Sequence, residues 1–350
     1  MTQVSVIFLT YNQEKFVAEA LRAALAQHFH DYEIIIADDG STDATMEIIT
    51  QVVDVHSRRH LVRYLPKEPN MGLVRNWNRA LAAARGEVLV CMAGDDVSSA
   101  DRLAVTANIF EKNDATMVLM SQASVIDESG EEIIGQWEPQ RLNESTHHPI
   151  AHSFGLDFWN GAPTLGACGS YRRTLSTVFD PIDAAKAEDE VYIYRGFLLG
   201  SLYYTPKNLV KWRWHGRNLS MGAWSELASP TETLAKMAKF YEGRGDYCEQ
   251  FLKDARQACK KGLITPERLR VEQEKIRRYR AALRLSFLTI SPTASLAAWP
   301  AAAWTFARCH SFTWRAWRHL LISSVKFILP FQLKLRYFAS ARQTSPPKKT

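Results

Sequence analysis

The chain has 350 residues, of which 46% are hydrophobic and 23% are charged, and fractions of this size exclude a largely disordered chain. At roughly 150 residues a domain, the length predicts two domains. The five cysteines are odd in number and form no CxxC pair, which argues against a zinc cluster or a disulfide scaffold and favours a reducing compartment. No signal peptide precedes the first apolar segment, so we expect a cytoplasmic protein.

The net charge of +6 is distributed unevenly along the chain. Residues 1–251 carry 23 basic and 33 acidic side chains, whereas residues 252–350 carry 20 basic and 4 acidic ones. No acidic residue follows Glu274, although 14 lysines and arginines do. This asymmetry predicts a nucleic-acid or membrane partner for the C-terminal part and a different role for the N-terminal part.

Strand-like and helix-like segments alternate over the first 130 residues. Short apolar runs predict buried strands at Val4–Leu9, Glu33–Ala37, Leu61–Leu65, Val88–Met92 and Met117–Ile126. Helical patterns lie between them, at about residues 14–27, 43–55, 71–85 and 101–112. Ser41 or Thr42 is expected to cap the second helix, and Gly86 to form a left-handed cap after the third. The alternation predicts an α/β fold with a mostly parallel sheet, in which ligands bind outside the carboxyl ends of the strands.

Polar residues follow three of these strands. The first strand runs into Thr10-Tyr11-Asn12, the second into Asp38-Asp39-Gly40-Ser41-Thr42-Asp43, and the fourth into Gly94-Asp95-Asp96. One acidic turn after a strand is commonly a helix N-cap. Two aspartate pairs at neighbouring strand ends would repel each other, however, unless a cation or ligand donors lay among them. Oxygen ligands of this kind suit Mg²⁺ or Mn²⁺.

These segments resemble the family 2 glycosyltransferases of the GT-A type. The resemblance rests on V-S-V-I-F-L-T-Y-N at 4–12, E-I-I-I-A-D-D-G-S-T-D at 33–43, N-M-G-L-V-R-N-W-N-R-A-L at 70–81, R-G-E-V-L-V at 85–90 and G-D-D at 94–96, and it covers about the first 220 residues. It implies a nucleoside-diphosphate sugar as donor, with UDP or dTDP as the nucleotide, and a hydroxyl group as acceptor.

By position, the resemblance also implies a set of donor-binding residues. Thr10, Tyr11 and Asp39 would contact the base and ribose, with Asn12 in the same set. Asp95 would hold the ribose, and Asp96 would bind the Mn²⁺ or Mg²⁺ ion that bridges the phosphates. Many relatives carry a further aspartate two residues before this pair, where this chain has Ala93. Arg75 is a candidate phosphate ligand, the alternative being an ordinary exposed helix arginine.

Two later motifs resemble the same family. The segment A-E-D-E-V-Y-I-Y-R at 187–195 resembles the family's E-D motif at the head of a helix. The resemblance implies that Asp189 is the general base of an inverting transfer and that Glu188 hydrogen-bonds the acceptor. The alternative is that these acidic residues only favour a helix N-terminus through the helix dipole.

The second motif is W-R-W-H-G-R-N-L-S at 212–220. It resembles a Tyr-Arg-x-His-x-x-Asn-x-Ser stretch found in many bacterial relatives. The resemblance implies that His215 completes the metal shell, and that Arg213 or Arg217 neutralises the departing diphosphate.

The C-terminal part is predicted to be helical and basic. Residues 229–285 have helical patterns with breaks near Gly243–Asp246 and Gly262. Residues 314–329 place tryptophans and aliphatic side chains at helical spacing, flanked by cations, which is typical of a helix lying in a membrane interface. Packing as an ordinary helical domain is the alternative. We expect an anionic membrane surface as partner and no nucleic acid, because the sequence contains no recognisable nucleic-acid-binding fold.

The predicted organisation is a GT-A domain over residues 1–225, a helical, basic and membrane-docking region over 226–342, and a disordered tail over 343–350. The predicted activity is inverting, metal-dependent transfer of a sugar to a lipid-linked or growing glycan at the inner face of the cell membrane. The alternatives are a nucleotide-sugar-binding membrane scaffold without turnover and a sugar nucleotidyltransferase. Thr10-Tyr11-Asn12-Gln13 stands where a nucleotidyltransferase has a Gly-rich basic turn, and no GxGxxG follows the first strand to indicate a dehydrogenase.

Overall fold

The computed structural model describes residues 3–134, 149–150, 165–183, 187–215, 218, 230–290, 300 and 303–305. Its strands are β1 (Val4–Thr10), β2 (Tyr32–Asp38), β3 (Val62–Tyr64), β4 (Val88–Ala93), β5 (Val97–Ser98), β6 (Thr116–Ile126), β7 (Glu132–Ile134), β8 (Pro149–Ile150), β9 (Gly169–Arg172) and β10 (Ser201–Arg213). Its helices are α1 (Val17–Leu25), α2 (Thr45–Asp54), α3 (Leu73–Ala83), α4 (Arg102–Lys112), α5 (Thr174–Val178), α6 (Asp189–Leu199), α7 (Pro230–Lys260) and α8 (Pro266–Ile290).

The described strands form one sheet in the order β3-β2-β1-β4-β9-β6-β10-β5, with β7 paired to β6 and β8 to β10. The first four strands in this order are parallel to one another, and β10 is parallel to β6. Strand β9 is antiparallel to both β4 and β6. The four residues of β9 therefore connect the two parallel parts of the sheet. The predicted α/β fold with a mostly parallel sheet is confirmed.

The strands are apolar on both sides because helices cover both faces of the sheet. Along β1, Val4, Val6 and Phe8 pack under α1, α2 and α4. Ile7 and Leu9 point to the opposite face, where α3, α6, α7 and α8 contribute to the core. The C-terminal helices therefore share a core with the N-terminal strands, through side chains that include Phe251 on α7 and Tyr279 on α8.

Two predicted helix caps are wrong. Helix α2 begins at Thr45 after Ala44 and has no side-chain cap, so Ser41 and Thr42 do not cap it. Helix α3 ends at Ala83 and is followed by extended backbone at Ala84. Gly86 instead permits a close approach of two segments, since a Cβ atom there would lie 2.5 Å from the backbone nitrogen of Ser5.

Helix α7 runs without interruption from Pro230 to Lys260, so the break predicted near Gly243–Asp246 is wrong. The break at Gly262 is confirmed, because this glycine has a φ of +71° between α7 and α8. No helix among the described residues has the length and apolar character needed to cross a membrane. The segment 314–329 and the tail 343–350 lie outside the described residues.

Candidate functional site

The loops after β1 and β2 are joined by Asn12. Its backbone N–H donates to Ser41 Oγ at 2.9 Å, and its Oδ1 accepts from the backbone N–H of Thr42 at 2.8 Å. Asn12 has a φ of +49°, a left-handed conformation in which asparagine is enriched among side-chain-bearing residues. The structure thus gives Asn12 a role in shaping the edge of the sheet.

Asp39 connects the end of β2 to the start of α3. Its side chain is buried, and its two oxygens accept from the backbone N–H groups of Met71 at 2.9 Å and Gly72 at 3.0 Å. Gly72 has a φ of +86°, a conformation that glycine adopts without strain. Asp39 therefore fixes the loop that precedes α3, at the same edge as Thr10.

Gly94 permits a close approach between the ends of β1 and β4. A Cβ atom at this position would lie 2.5 Å from Gln13 Oε1 and 3.0 Å from Thr10 Oγ1. Both of these oxygens are buried without a hydrogen-bond partner among the described residues. Tyr11, the next predicted donor contact, is 46% exposed. Unpaired buried polar atoms are costly in a folded protein, so Thr10 and Gln13 are candidates to bind a polar ligand group.

Gln13 and Arg79 are residues of this edge that the sequence analysis missed. Arg79 Nη2 donates to the carbonyl of Asp38 at 3.3 Å, and its Nε and Nη1 are buried without a partner among the described residues. No spacing rule marks either residue, because each is identified only by what surrounds it in the fold. Arg75, the predicted phosphate ligand, is exposed on α3.

Asp95 and Asp96 follow β4 after Gly94, and both side chains are buried. Asp96 Oδ1 accepts from the backbone N–H of Arg213 at 2.8 Å. His215 Nε2 lies 3.0 Å from Asp95 Oδ2. Burial and the neighbouring Asp95 raise the pKa of Asp96 well above its usual range, despite the opposing effect of two arginines. The described residues around Asp96 therefore disfavour its charged form.

Arg213 belongs to the scaffold of the site. Its guanidinium donates to the carbonyls of Asp95 at 2.9 Å and Asp127 at 3.0 Å, and to Glu19 Oε2 at 2.5 Å. It also lies over the ring of Phe16, 5.0 Å from the ring centroid. Because Arg213 is 1% exposed, the prediction that it neutralises the diphosphate is wrong for this residue. Arg217 lies outside the described residues.

The second carboxylate pair stands at the head of α6. Glu188 is buried, and its Oε2 has no hydrogen-bond partner among the described residues. Burial, with a smaller contribution from the charge of Asp189, raises the pKa of Glu188 to about 8. Asp189 is half-buried, and its Oδ1 accepts from the backbone N–H of Glu190 at 2.8 Å. A buried carboxyl group with a raised pKa is more typical of a functional site than of a helix start.

The turn Gly166–Cys168 contacts both Glu188 and β4. A Cβ atom on Gly166 would lie 3.2 Å from Glu188 Oε1. Arg102, which is 1% exposed, donates to the carbonyls of Cys91 on β4 at 2.8 Å and of Ala167 at 2.7 Å. This buried guanidinium holds the turn next to β4, the strand that leads to Asp95 and Asp96.

The described residues contain no group of three acidic, histidine or cysteine side chains that converge on one point as a cation site. The donor set at the end of β4 nevertheless fits a divalent ion, since the carboxylates of Asp95 and Asp96 lie next to the imidazole of His215. The burial of these two neighbouring carboxylates carries this fit, because a cation would offset both the cost of burying them and the repulsion between them. Magnesium is commonly bound by one or two carboxylates together with substrate phosphates and water.

Comparisons with known proteins identify the family to which the chain belongs. The sequence model of glycosyl transferase family 2 matches residues 5–178. An uncharacterised glycosyltransferase of Nostoc sp. is 31% identical over 255 residues, which are 71% of this chain and 76% of the relative. Poly(ribitol-phosphate) β-N-acetylglucosaminyltransferase TarS of Staphylococcus aureus is 26% identical over 204 residues, which are 57% of this chain and 33% of TarS.

A crystal structure of the S. aureus TarS fragment 1–349 with UDP-GlcNAc covers 97% of this chain and 92% of that fragment, with a TM-score of 0.58 and 18% sequence identity. At this identity the likeness shows a common fold. The chain belongs to glycosyl transferase family 2, and it is a GT-A enzyme that transfers a sugar from a nucleotide sugar.

Proposed function

We propose that this enzyme transfers a sugar from a nucleoside-diphosphate sugar to an acceptor hydroxyl with inversion of the anomeric configuration, assisted by Mn²⁺ or Mg²⁺. The single observation that carries the proposal is that the Gly166–Cys168 turn contacts Glu188 and is bonded through Arg102 to β4, the strand that leads to Asp95 and Asp96. The Asp95–Asp96 pair suits the departing diphosphate, and the Glu188–Asp189 pair suits the attacking hydroxyl.

The donor nucleoside is proposed to bind over the ends of β1, β2 and β4. Thr10 offers an unpaired buried oxygen, Tyr11 an exposed ring, and Asp95 a carboxylate for the ribose. Asp39 and Asn12 support this surface through the loops that they fix. Arg75 is the proposed phosphate contact from α3. TarS was crystallised with UDP and with UDP-GlcNAc, so UDP is the first nucleotide to test and dTDP the second.

Asp96 and His215 are the residues proposed to hold the metal ion. Asp95 contacts the His215 ring at 3.0 Å, and such a carboxylate contact commonly fixes the orientation of a metal-binding imidazole. A bound ion would supply positive charge to the leaving diphosphate. The protein contributes two buried carboxylates and a fixed ring, arranged before the donor binds.

Glu188 and Asp189 have different proposed roles at the acceptor. With a pKa of about 8, Glu188 is protonated at neutral pH and donates a hydrogen bond to the acceptor. Asp189 is the carboxylate that takes the proton from the attacking hydroxyl as the new bond forms. A general base placed in this way contributes roughly 10²–10⁴ in rate. Attack from the side opposite the diphosphate inverts the anomeric configuration.

The acceptor is proposed to be a lipid-linked or growing glycan at the inner face of the cell membrane, as in polysaccharide biosynthesis. Support comes from the C-terminal charge, with 14 basic and no acidic residues after Glu274. On α8, Arg270, Arg277 and Arg284 are exposed at a spacing of seven residues, which places them along one side of the helix. Such a row of cations suits an anionic membrane surface. The division into a GT-A domain (1–225), a docking region (226–342) and a tail (343–350) is part of this proposal, with α7 and α8 of the second region packed into the core of the first.

Calorimetric titration of the purified protein with UDP, dTDP and GDP, with and without Mn²⁺, tests the donor site. We expect metal-dependent binding of one nucleotide, lost in Asp96→Ala and retained in the control Asp101→Ala, whose carboxylate is exposed beside His28. Binding that is equally strong without metal would contradict the proposed role of Asp96.

Transfer assays with Asp189→Asn test catalysis. We expect loss of turnover while the nucleotide still binds, and an inverted product by NMR analysis of its anomeric configuration. A non-catalytic membrane scaffold would show no turnover in either protein, and a nucleotidyltransferase would release pyrophosphate from a nucleoside triphosphate.

A further inference from the structure

The loop that leads into the catalytic pair is held by one face of helix α7. The loop comprises Val178–Asp183, five residues before Glu188. Four of the side chains that hold it recur every three or four residues, as one face of a helix requires, and the fifth, Lys253, lies next to Asp254. We call the five residues the α7 clamp: Gln250, Lys253, Asp254, Gln257 and Lys261. Lys261 directly follows the last residue of the helix.

The α7 clamp forms hydrogen bonds with the backbone of the loop as well as with its side chains. Gln257 Oε1 accepts from the backbone N–H of Asp180 at 3.1 Å, while its Nε2 donates to Asp180 Oδ1 at 2.8 Å. Gln250 Oε1 accepts from the backbone N–H of Asp183 at 3.1 Å. Lys253 Nζ lies 2.6 Å from Asp183 Oδ2, and Lys261 Nζ donates to the carbonyl of Val178. Backbone contacts at three points fix the path of the loop.

A buried ion pair joins the clamp to the catalytic helix itself. Arg195, on α6, donates to both oxygens of Asp254, at 2.8 Å and 3.1 Å, and the two side chains are 1% and 0% exposed. Arg195 also donates to the carbonyl of Asp180 at 2.7 Å, and Gln250 donates to Asp254 at 2.9 Å. Arg195 therefore connects α6, the loop and α7 at one point.

We infer that α7 is part of the catalytic apparatus, in which Asp254 and Gln257 are positioning residues that set the location of Glu188 and Asp189. The inference rests on the proposed function, in which Asp189 is the base. Helix α6 begins at Asp189, so a shift of the loop or of Arg195 moves the base relative to the acceptor. A misplacement of about 1 Å by a distant change can cost roughly a hundredfold in rate.

The arrangement separates catalysis from donor binding. The α7 clamp contacts go to residues 178–183 and to Arg195, whereas the proposed donor residues lie at the ends of β1, β2, β4 and β10 and, for Arg75, on α3. Loss of a clamp contact should therefore lower kcat and leave donor affinity unchanged. A general loss of folding would lower both together.

The test compares Gln257→Ala, Asp254→Asn, Asp189→Asn and the control Glu249→Gln. Glu249 lies next to Gln250 on α7, but it is exposed and pairs with Arg280. We expect kcat to fall about tenfold or more in the two clamp variants, with the dissociation constant for the donor nucleotide within about twofold of the parent value. We expect Glu249→Gln to match the parent in both quantities.

Gln257→Ala removes a solvent-exposed contact, so it reports on the clamp even if Asp254→Asn fails to fold. Unchanged kcat in folded Gln257→Ala would overturn the inference, as would a parallel loss of donor binding and kcat. The Asp189→Asn protein distinguishes a failure of the proposed base from a failure of the positioning role of α7. If it retains full turnover, the proposed base is wrong. If it is inactive while the clamp variants remain fully active, only the positioning role is wrong.

Discussion

His215 Nε2 lies 3.0 Å from Asp95 Oδ2, although 120 positions separate the two residues in sequence. The contact joins the segment after β10 to the segment after β4. The backbone N–H of Arg213 makes a second bond across the same junction, to Asp96 Oδ1 at 2.8 Å. Residues 213–215 thus hold both members of the Asp95–Asp96 pair. Loss of the His215 side chain should therefore weaken binding of the donor nucleotide.

We expect His215→Ala to weaken nucleotide binding in the presence of Mn²⁺ by roughly tenfold or more, because Asp95 loses the partner that fixes it and the metal loses a proposed ligand. Calorimetry with and without Mn²⁺ measures the effect. His28→Ala is the matched control, since His28 is an exposed histidine that pairs with Asp101. Equal affinity in His215→Ala and the parent would remove His215 from the donor site.

Activity should fall as the pH rises above about 8, where Glu188 loses its proton. Below that pH Glu188 is neutral and donates to the acceptor, whereas above it two adjacent carboxylates repel each other. Glu188→Gln keeps a neutral donor at every pH, so its rate should lack this alkaline decline. Profiles of kcat/KM for the two proteins give the comparison, and identical alkaline limbs would show that another group controls the decline.

The same group predicts how stability depends on pH. The pKa of Glu188 rises from 4.5 to about 8 on folding, so between these values the folded chain binds more protons than the unfolded chain. Through this group, the free energy of unfolding therefore decreases as the pH rises from 4.5 to 8. Glu188→Gln should gain stability relative to the parent across that window. Urea unfolding at pH 5 and pH 8 tests the sign, and a constant difference would contradict it.

Arg213→Met should destabilise the fold by about 3 kcal/mol or more, because it leaves buried carbonyl groups and Glu19 without their partner. The control Arg280→Met removes an exposed pair with Glu249 and should cost less than about 1 kcal/mol. Urea unfolding gives both values. Unchanged stability with lost diphosphate affinity would return Arg213 to the ligand-binding role inferred from its motif.

Gly94→Ala should lower nucleotide affinity by roughly tenfold, since the added methyl group would lie 2.5 Å from Gln13 Oε1 and 3.0 Å from Thr10 Oγ1 and would displace these side chains at the proposed donor surface. Gly245→Ala is the control, because a Cβ atom at Gly245 meets nothing within 4 Å and alanine favours the helix. Titration of both proteins with the nucleotide that binds the parent measures the difference. Unchanged affinity in Gly94→Ala would remove Thr10 and Gln13 from the donor site.

The sequence predicts much of the first half of the fold because its strands are buried on both faces. The predicted Val88–Met92 is observed as Val88–Ala93, and Val4–Leu9 as Val4–Thr10. An unbroken apolar run is enough to predict such a strand. The last residue of the run then locates the edge of the sheet where polar site residues follow. Asp95 and Asp96 could be located for this reason, whereas the assignment of His215 to the metal site rests on resemblance alone.

Residues whose partners are distant in sequence could not be predicted in the same way. Arg213 belongs to a motif, yet its bonds to Asp127 and Glu19 decide that it supports the fold. In the sequence, Arg102 is an ordinary arginine of an amphipathic helix. Only the fold shows that it bonds the Gly166–Cys168 turn. The positive charge of the C-terminal part predicts an external partner, but it carries no information about the side of α7 that faces the catalytic helix.

Strand β9 has a further consequence for how the chain folds. It is the strand that pairs with both β4 and β6, so a growing or truncated chain that stops before Gly169 leaves two apolar strands with unpaired backbone edges. Such edges are sites of intermolecular pairing and aggregation. The pairing of β4 with β9 also links Val88 to Arg172, a long sequence separation of the kind that slows folding. Expression of a segment that ends before Gly169 should therefore yield aggregates, because β4 and β6 would each keep an unpaired edge where β9 binds in the complete chain.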